Sequence, residues 1–118
     1  MLLAVGGQYL EDLEPQCARM ATGFCGGLGD TKQELCGALS SGVMVIGALF
    51  GRTSLEEDDE PAVRLAQRYR DLFLETFGDT QCCELRDKVV YSPGGLGSCG
   101  ALVERAAGVL MALLEEAE

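Results

Sequence analysis

The spacing of apolar and polar positions predicts helices along most of the chain. In four segments, apolar residues recur every three or four positions, which is the repeat of one helix face. Proline suits the first turn of a helix and serine suits its N-cap, so Pro15, Pro61 and Ser98 mark three predicted helix starts. The predicted apolar faces are Leu2, Val5, Tyr9 and Leu13; Cys17, Met20, Ala21 and Phe24; Ala62, Leu65, Ala66, Tyr69, Leu72, Phe73 and Phe77; and Leu102, Ala106, Val109, Leu110, Leu113 and Leu114.

The most apolar part of the chain is an uncharged run of 17 residues from Leu35 to Gly51. Thr31 and Glu34 have the spacing of a capping box, which predicts a helix over roughly 32–50. Because a membrane span needs about 20 apolar residues, we expect a buried core helix and no membrane span. Four small residues give this helix a smooth side that another backbone can approach closely: Gly37, Ala38, Ser41 and Gly42.

The segments between these helices carry turn residues. Glycines at Gly23–Asp30 predict a loop, Gly78 is a natural C-terminal cap, and Thr80 is the predicted N-cap of a short helix. Val89–Tyr91 is too short to support a sheet. The sequence therefore predicts an all-α fold, with residues 1–118 forming a single-domain bundle of four to five helices and glycine-rich loops.

Composition narrows the functional classes. Nine basic residues against 19 acidic ones give a net charge of −10, which argues against nucleic-acid binding. The N-terminus has no basic segment typical of a signal peptide, so we expect a cytoplasmic, reducing environment. In such an environment the six cysteines favour a redox or metal role over structural disulfides.

Three cysteines are the candidate catalytic residues: Cys36, Cys82 and Cys99. With Ser98 as N-cap, Cys99 is the first helical residue, and with Thr80 as N-cap, Cys82 is the second. Free amides and the helix dipole stabilise a thiolate at such positions. We expect Cys36 one turn inside its helix.

The other cysteines have weaker claims. Cys17, on an apolar helix face, is expected to be buried and inert. Cys25 in the glycine loop fits either role, and Cys83 is a spare. Histidine is absent, so chemistry rests on thiols, carboxylates and backbone amides.

Three functions remain open from the residues alone. Clustered thiols at one end of the bundle suit dithiol–disulfide cycling with an unknown redox partner. The same thiols of Cys36, Cys82 and Cys99, with Cys25, suit an iron–sulfur cluster or a zinc ion. A non-catalytic helical interaction domain is the third possibility.

The segments "GFCGGLGDTKQELCGALSSGVMVIGALFG" and "FGDTQCCEL", followed by a late cysteine before "LVERAAGVL", resemble the C_GCAxxG_C_C family of redox-active proteins. The signature Cys-Gly-Ala-x-x-Gly corresponds to Cys36–Gly42, with one extra residue before the last glycine. The next family cysteine corresponds to Cys82, within Gly-x-Thr-x-Cys-x-x-Leu, and the last to Cys99.

The resemblance implies a redox-active or cluster-binding helical protein. Gly37, Gly42 and Gly100 are the candidate cofactor-binding glycines. The family's first cysteine has no counterpart upstream, so either the chain begins late or Cys25 takes its place. If an upstream segment is missing, we expect a homodimer to cover the apolar surface.

Overall fold

The protein is built from helices joined by glycine-rich turns. The computed structural model describes residues 1–10 and 14–117. The α-helices are α1 (Gly7–Tyr9), α2 (Pro15–Ala21), α3 (Gly37–Phe50), α4 (Glu60–Phe77), α5 (Cys82–Leu85) and α6 (Cys99–Ala117). A π-helical turn, Leu2–Gly6, precedes α1; a 3₁₀ turn, Thr22–Phe24, follows α2; and a π-helical turn, Arg86–Val90, follows α5. The described residues contain no β-strand, which confirms the all-α prediction; the predicted position of Leu13 lies outside them.

Helix α3 lies at the centre of the core. It packs against α4, α6 and the turn Leu2–Gly6, and it contributes the fully buried side chains of Val45 and Ile46. This burial confirms the prediction of a core helix. Over residues 1–10 and 14–117, no helix has both the length and the apolar character needed to cross a membrane.

The smooth side of α3 receives the side-chain ring of Tyr69 from α4, whereas the small residues predict the close approach of a backbone. The Tyr69 hydroxyl donates a 2.9 Å hydrogen bond to the carbonyl oxygen of Ala38. A Cβ atom added at Gly42 would lie only 2.4 Å from Cε2 of the Tyr69 ring. Gly42 is therefore required by close packing between α3 and α4.

The predicted start of α3 is wrong. The helix begins at Gly37, with Cys36 as its N-cap, and not near residue 32. Lys32 has a φ of 62°, which a right-handed helix cannot contain. The Thr31 hydroxyl donates to the carbonyl oxygen of Gly27, 3.0 Å away, and accepts from the amide of Gln33, so it stabilises the glycine loop and caps no helix.

Two other predicted helix ends, at Gly78 and at Ser98, are confirmed, and a third is shifted by one residue. Gly78 ends α4 in the left-handed conformation, with a φ of 83°. The Ser98 hydroxyl accepts a 3.1 Å hydrogen bond from the amide of Ala101, which caps α6. The start of α5 is wrong by one residue, because Gln81 and not Thr80 is its N-cap.

Two substitutions in α3 test the close contact with Tyr69. Gly42→Ala should lower the free energy of unfolding by about 1–3 kcal/mol, because the buried ring must move away from the new methyl group. Gly47→Ala on the same helix meets no atom within 4 Å and should raise it by about 1 kcal/mol, because alanine favours the helix. Urea unfolding followed by circular dichroism measures both. Equal effects of the two substitutions would contradict this packing.

Candidate functional site

Four cysteines line one cavity of about 520 Å³: Cys25, Cys36, Cys82 and Cys99. They come from the glycine loop and from the starts of α3, α5 and α6. All three predicted catalytic cysteines are thus brought together, along with Cys25. Most of the remaining wall is apolar and includes Leu2, Leu85, Leu102 and Val103.

An antiparallel backbone pairing, the Leu35–Gln81 bridge, joins the two segments that carry Cys36 and Cys82. The amide of Cys36 donates to the carbonyl oxygen of Thr80, and the amide of Cys82 donates to that of Glu34, each over 2.9 Å. These bonds connect the residue before α3 to the first turn of α5. They place both thiols at the cavity without any sheet.

The glycine loop closes around these cysteines. A Cβ atom at Gly27, whose φ is 70°, would lie 2.6 Å from Cβ of Cys82, so only glycine fits there without displacement. A Cβ atom at Gly37 would lie 3.3 Å from the Phe24 carbonyl oxygen and 3.9 Å from Cα of Cys25. The bare backbone of Gly37 therefore accommodates the carbonyl group of Phe24, the residue before Cys25, at the start of α3.

Cys36 occupies the N-cap of α3, which corrects its predicted position inside the helix. Burial raises the pKa of its thiol, and the amides of Ala38 and Leu39 act more weakly in the opposite direction. Neither amide makes a capping hydrogen bond of normal geometry with the sulfur, so both contacts are weak. The neighbouring thiols of Cys82 and Cys99 raise the Cys36 pKa further.

Cys82 is the first residue of α5 and is only 7% exposed. Burial raises the pKa of its thiol, and this effect exceeds the lowering by the nearby Arg86 guanidinium. The predicted stabilisation of a Cys82 thiolate at a helix start is therefore wrong in its net direction. The nearby thiol of Cys99 raises the Cys82 pKa as well.

Cys99 is half-buried at the first position of α6, as predicted. Nη1 of Arg86 donates a hydrogen bond to its Sγ over 3.6 Å. The Arg86 guanidinium also lies over the ring of Tyr91, 5.2 Å from the ring centroid. Sequence reasoning missed Arg86, although its position four residues after Cys82 places both side chains on one helical face.

Of the remaining predicted residues, all except Gly37 lie outside the cavity wall. Cys17 is exposed on α2, so the prediction that it is buried is wrong. Its neighbour Met20 is 67% exposed. Cys83 is half-buried and is not part of the cavity wall. Among the candidate glycines, Gly37 lines the cavity, whereas Gly42 faces Tyr69 and Gly100 is exposed.

The cysteines in the described part of the chain are not grouped closely enough to bind one metal ion together. In the part of the chain that the structure describes, no three Cys, Asp or Glu side chains form a group that could hold one metal ion. A zinc ion needs about four ligands arranged around a single point. Metal binding would therefore require the thiols around the cavity to rearrange.

Comparison with known proteins identifies the family. The family model described as "Putative redox-active protein (C_GCAxxG_C_C)" matches residues 1–113, which confirms the resemblance in the cysteine pattern. No curated protein and no solved structure gives a significant match to the chain.

The raised pKa of Cys36 predicts a loss of stability at alkaline pH. The folded protein holds this proton more tightly than the unfolded chain, so the contribution is present below the ordinary pKa of 9.0 and is lost as the pH rises through the folded-state value. Urea unfolding at pH 7 and pH 10 should show a smaller pH-dependent loss in Cys36→Ala than in the wild type. Cys17→Ala is the control, because Cys17 is exposed. A loss as large in Cys36→Ala as in Cys17→Ala would contradict this assignment.

Proposed function

Because the chain belongs to the C_GCAxxG_C_C family of redox-active proteins, we propose that it carries out thiol–disulfide exchange. The observation that carries the proposal is the cavity shared by Cys36, Cys82 and Cys99, with a guanidinium hydrogen-bonded to one of the sulfurs. Thiols that share one site can cycle between a dithiol and a disulfide.

Cys99 is the attacking cysteine in this proposal. It is more exposed than Cys82, and it accepts a hydrogen bond from Arg86. This charge-assisted hydrogen bond orients the Cys99 sulfur in the cavity and places a cation beside it during exchange. The sulfurs of Cys36 and Cys82 lack this donor among the described hydrogen bonds, and burial disfavours their thiolates.

Cys82 is the resolving cysteine. The Cys99 thiolate attacks one sulfur of a small disulfide, breaks the S–S bond, forms a mixed disulfide and releases the first thiolate, which takes a proton from solvent. Cys82 then gives up its proton to solvent and attacks the Cys99 sulfur, which releases the second thiol and leaves a Cys82–Cys99 disulfide. The small disulfide gains two electrons and the protein loses two.

A thiol reductant, the unknown redox partner of the protein, restores the dithiol by the reverse exchange. Cys36 lines the same cavity and takes no step in this exchange. The homodimer expected from the sequence stays a prediction.

Two cysteine substitutions test these roles. Both variants are made in a background in which the exposed Cys17 and Cys25 are replaced by Ser, so that these thiols do not react with the probe. In this background Cys99→Ser should slow the reaction with 4,4′-dithiodipyridine by about tenfold or more, because the attacking thiol is lost. Cys82→Ser should react at Cys99 but retain the mixed disulfide, since no resolving thiol follows. Stopped-flow absorbance measures the rate, and intact-protein mass spectrometry measures the adduct.

The background with Cys17→Ser and Cys25→Ser is the control and should release both thiopyridone equivalents, because it keeps the three cavity thiols of Cys36, Cys82 and Cys99. A wild-type rate in Cys99→Ser would contradict the role of Cys99. Release of both equivalents by Cys82→Ser would contradict the role of Cys82.

Metal binding through Cys36, Cys82, Cys99 and Cys25 is the competing hypothesis, and metal content separates it from exchange. We expect protein purified without oxygen to be colourless and to hold well below one iron or zinc ion per chain, because the thiols form no ready ligand group. Elemental analysis of the wild type and of Cys36→Ser gives the answer. Stoichiometric iron or zinc that is lost in Cys36→Ser would contradict thiol–disulfide exchange as the principal function.

A further inference from the structure

The cavity contains one cationic side chain among its described lining residues, that of Arg86. The protein as a whole is acidic, with a net charge of −10, so a cationic side chain in the cavity wall differs in sign from the overall charge. The rest of the wall is mainly apolar, apart from the hydroxyls of Thr22 and Ser41 and the carboxylate of Asp30. A single cation in an apolar cavity is an arrangement that orients a small ligand by one polar group.

The carboxylate of Asp30, the acidic side chain among the described residues of the wall, forms its ion pair with Lys32 and not with Arg86. Lys32 forms an ion pair and a hydrogen bond with Asp30 Oδ1 at 2.5 Å. The hydrogen bond and charge of Lys32 lower the pKa of Asp30, and the more distant charge of Arg86 lowers it further with the smallest effect of the three.

Arg86 also has donors to spare. A guanidinium carries five N–H groups, and the described hydrogen bonds of Arg86 use only one, to Cys99. Its Cζ atom lies over the Tyr91 ring, 5.2 Å from the centroid, and this contact uses no N–H donor. The remaining N–H donors belong to the same guanidinium that is bonded to the Cys99 sulfur, and a guanidinium can bind a carboxylate through two parallel hydrogen bonds.

We propose that the cavity selects a small organic disulfide that has an apolar body and an anionic group, such as a carboxylate, and that Arg86 binds this group. The inference rests on the proposed thiol–disulfide exchange at Cys99. The cavity volume of about 520 Å³ lies within the range of small-molecule sites, and its apolar wall accommodates the body of the ligand. Arg86 then places one sulfur of the ligand in front of Cys99 by fixing the anionic end.

The test compares two disulfides of different charge. The anionic probe is 5,5′-dithiobis(2-nitrobenzoate), and the neutral probe is 4,4′-dithiodipyridine. The measured quantity is the ratio of their second-order rate constants for the reaction at Cys99. The other cysteines are not substituted. Peptide mapping identifies the residue that each probe labels. Any change that Arg86→Gln makes to the reactivity of Cys99 itself is shared by both probes, so it cancels in the ratio.

Arg86→Gln should lower the anionic-to-neutral ratio by about tenfold, the effect of losing one charge-assisted contact. Arg86→Lys should restore part of the ratio, because it keeps the charge but not the fork of donors. Arg105→Gln on α6 removes the same charge outside the cavity wall and should change the ratio by less than about twofold, particularly at high salt, where long-range attraction is screened.

The outcomes separate the two proposals. An unchanged ratio in Arg86→Gln, or an equal fall in Arg105→Gln, would overturn the selection of anionic disulfides while leaving exchange at Cys99 intact. If neither probe labels Cys99 in the wild type, the proposed function itself fails.

Discussion

The site depends on one short piece of backbone pairing, the Leu35–Gln81 bridge. Its two flanking hydrogen bonds, from Cys36 to Thr80 and from Cys82 to Glu34, satisfy amides that would otherwise be unpaired at the starts of two helices. Because the bonds are made by the main chain, they fix the positions of both cysteines whatever their side chains do. The close contact of Gly27 with Cys82 depends on the same pairing, since it needs the segment after the loop to run alongside residues 80–82.

Burial and charge divide the three thiols into different chemical environments. Burial makes Cys36 and Cys82 weaker acids, and the local amides and Arg86 do not overcome it. Cys99 is more exposed than Cys82 and shares a hydrogen bond with a guanidinium. An attacking thiol benefits from exposure and a nearby cation, whereas a resolving thiol needs only to reach a sulfur that is already activated. The cavity supplies both environments in one place.

Sequence patterns predicted the features that depend on neighbouring residues. The hydrogen bond of the Ser98 cap and the left-handed conformation of Gly78 depend on residues close in sequence, so local patterns predict them. The small residues of α3 predict a close contact with another part of the chain, but they do not indicate that its partner is Tyr69. The start of α3 was mispredicted because Thr31 bonds within a loop of left-handed residues, which a capping pattern alone does not reveal. The burial of Cys82 and the hydrogen bond from Arg86 to Cys99 depend on segments that are far apart in sequence. The spacing of Cys82 and Arg86 indicates that they share a helical face, but no local pattern indicates the burial or the hydrogen bond.

The most direct test of the account is to map the disulfide that forms when the reduced protein is treated with one equivalent of a small disulfide. Peptide mass spectrometry under non-reducing conditions identifies the linked residues. We expect a link between Cys82 and Cys99, with Cys17 remaining a free thiol. Oxidation confined to Cys17 or Cys83, with Cys82 and Cys99 still reduced, would contradict a redox role for the cavity.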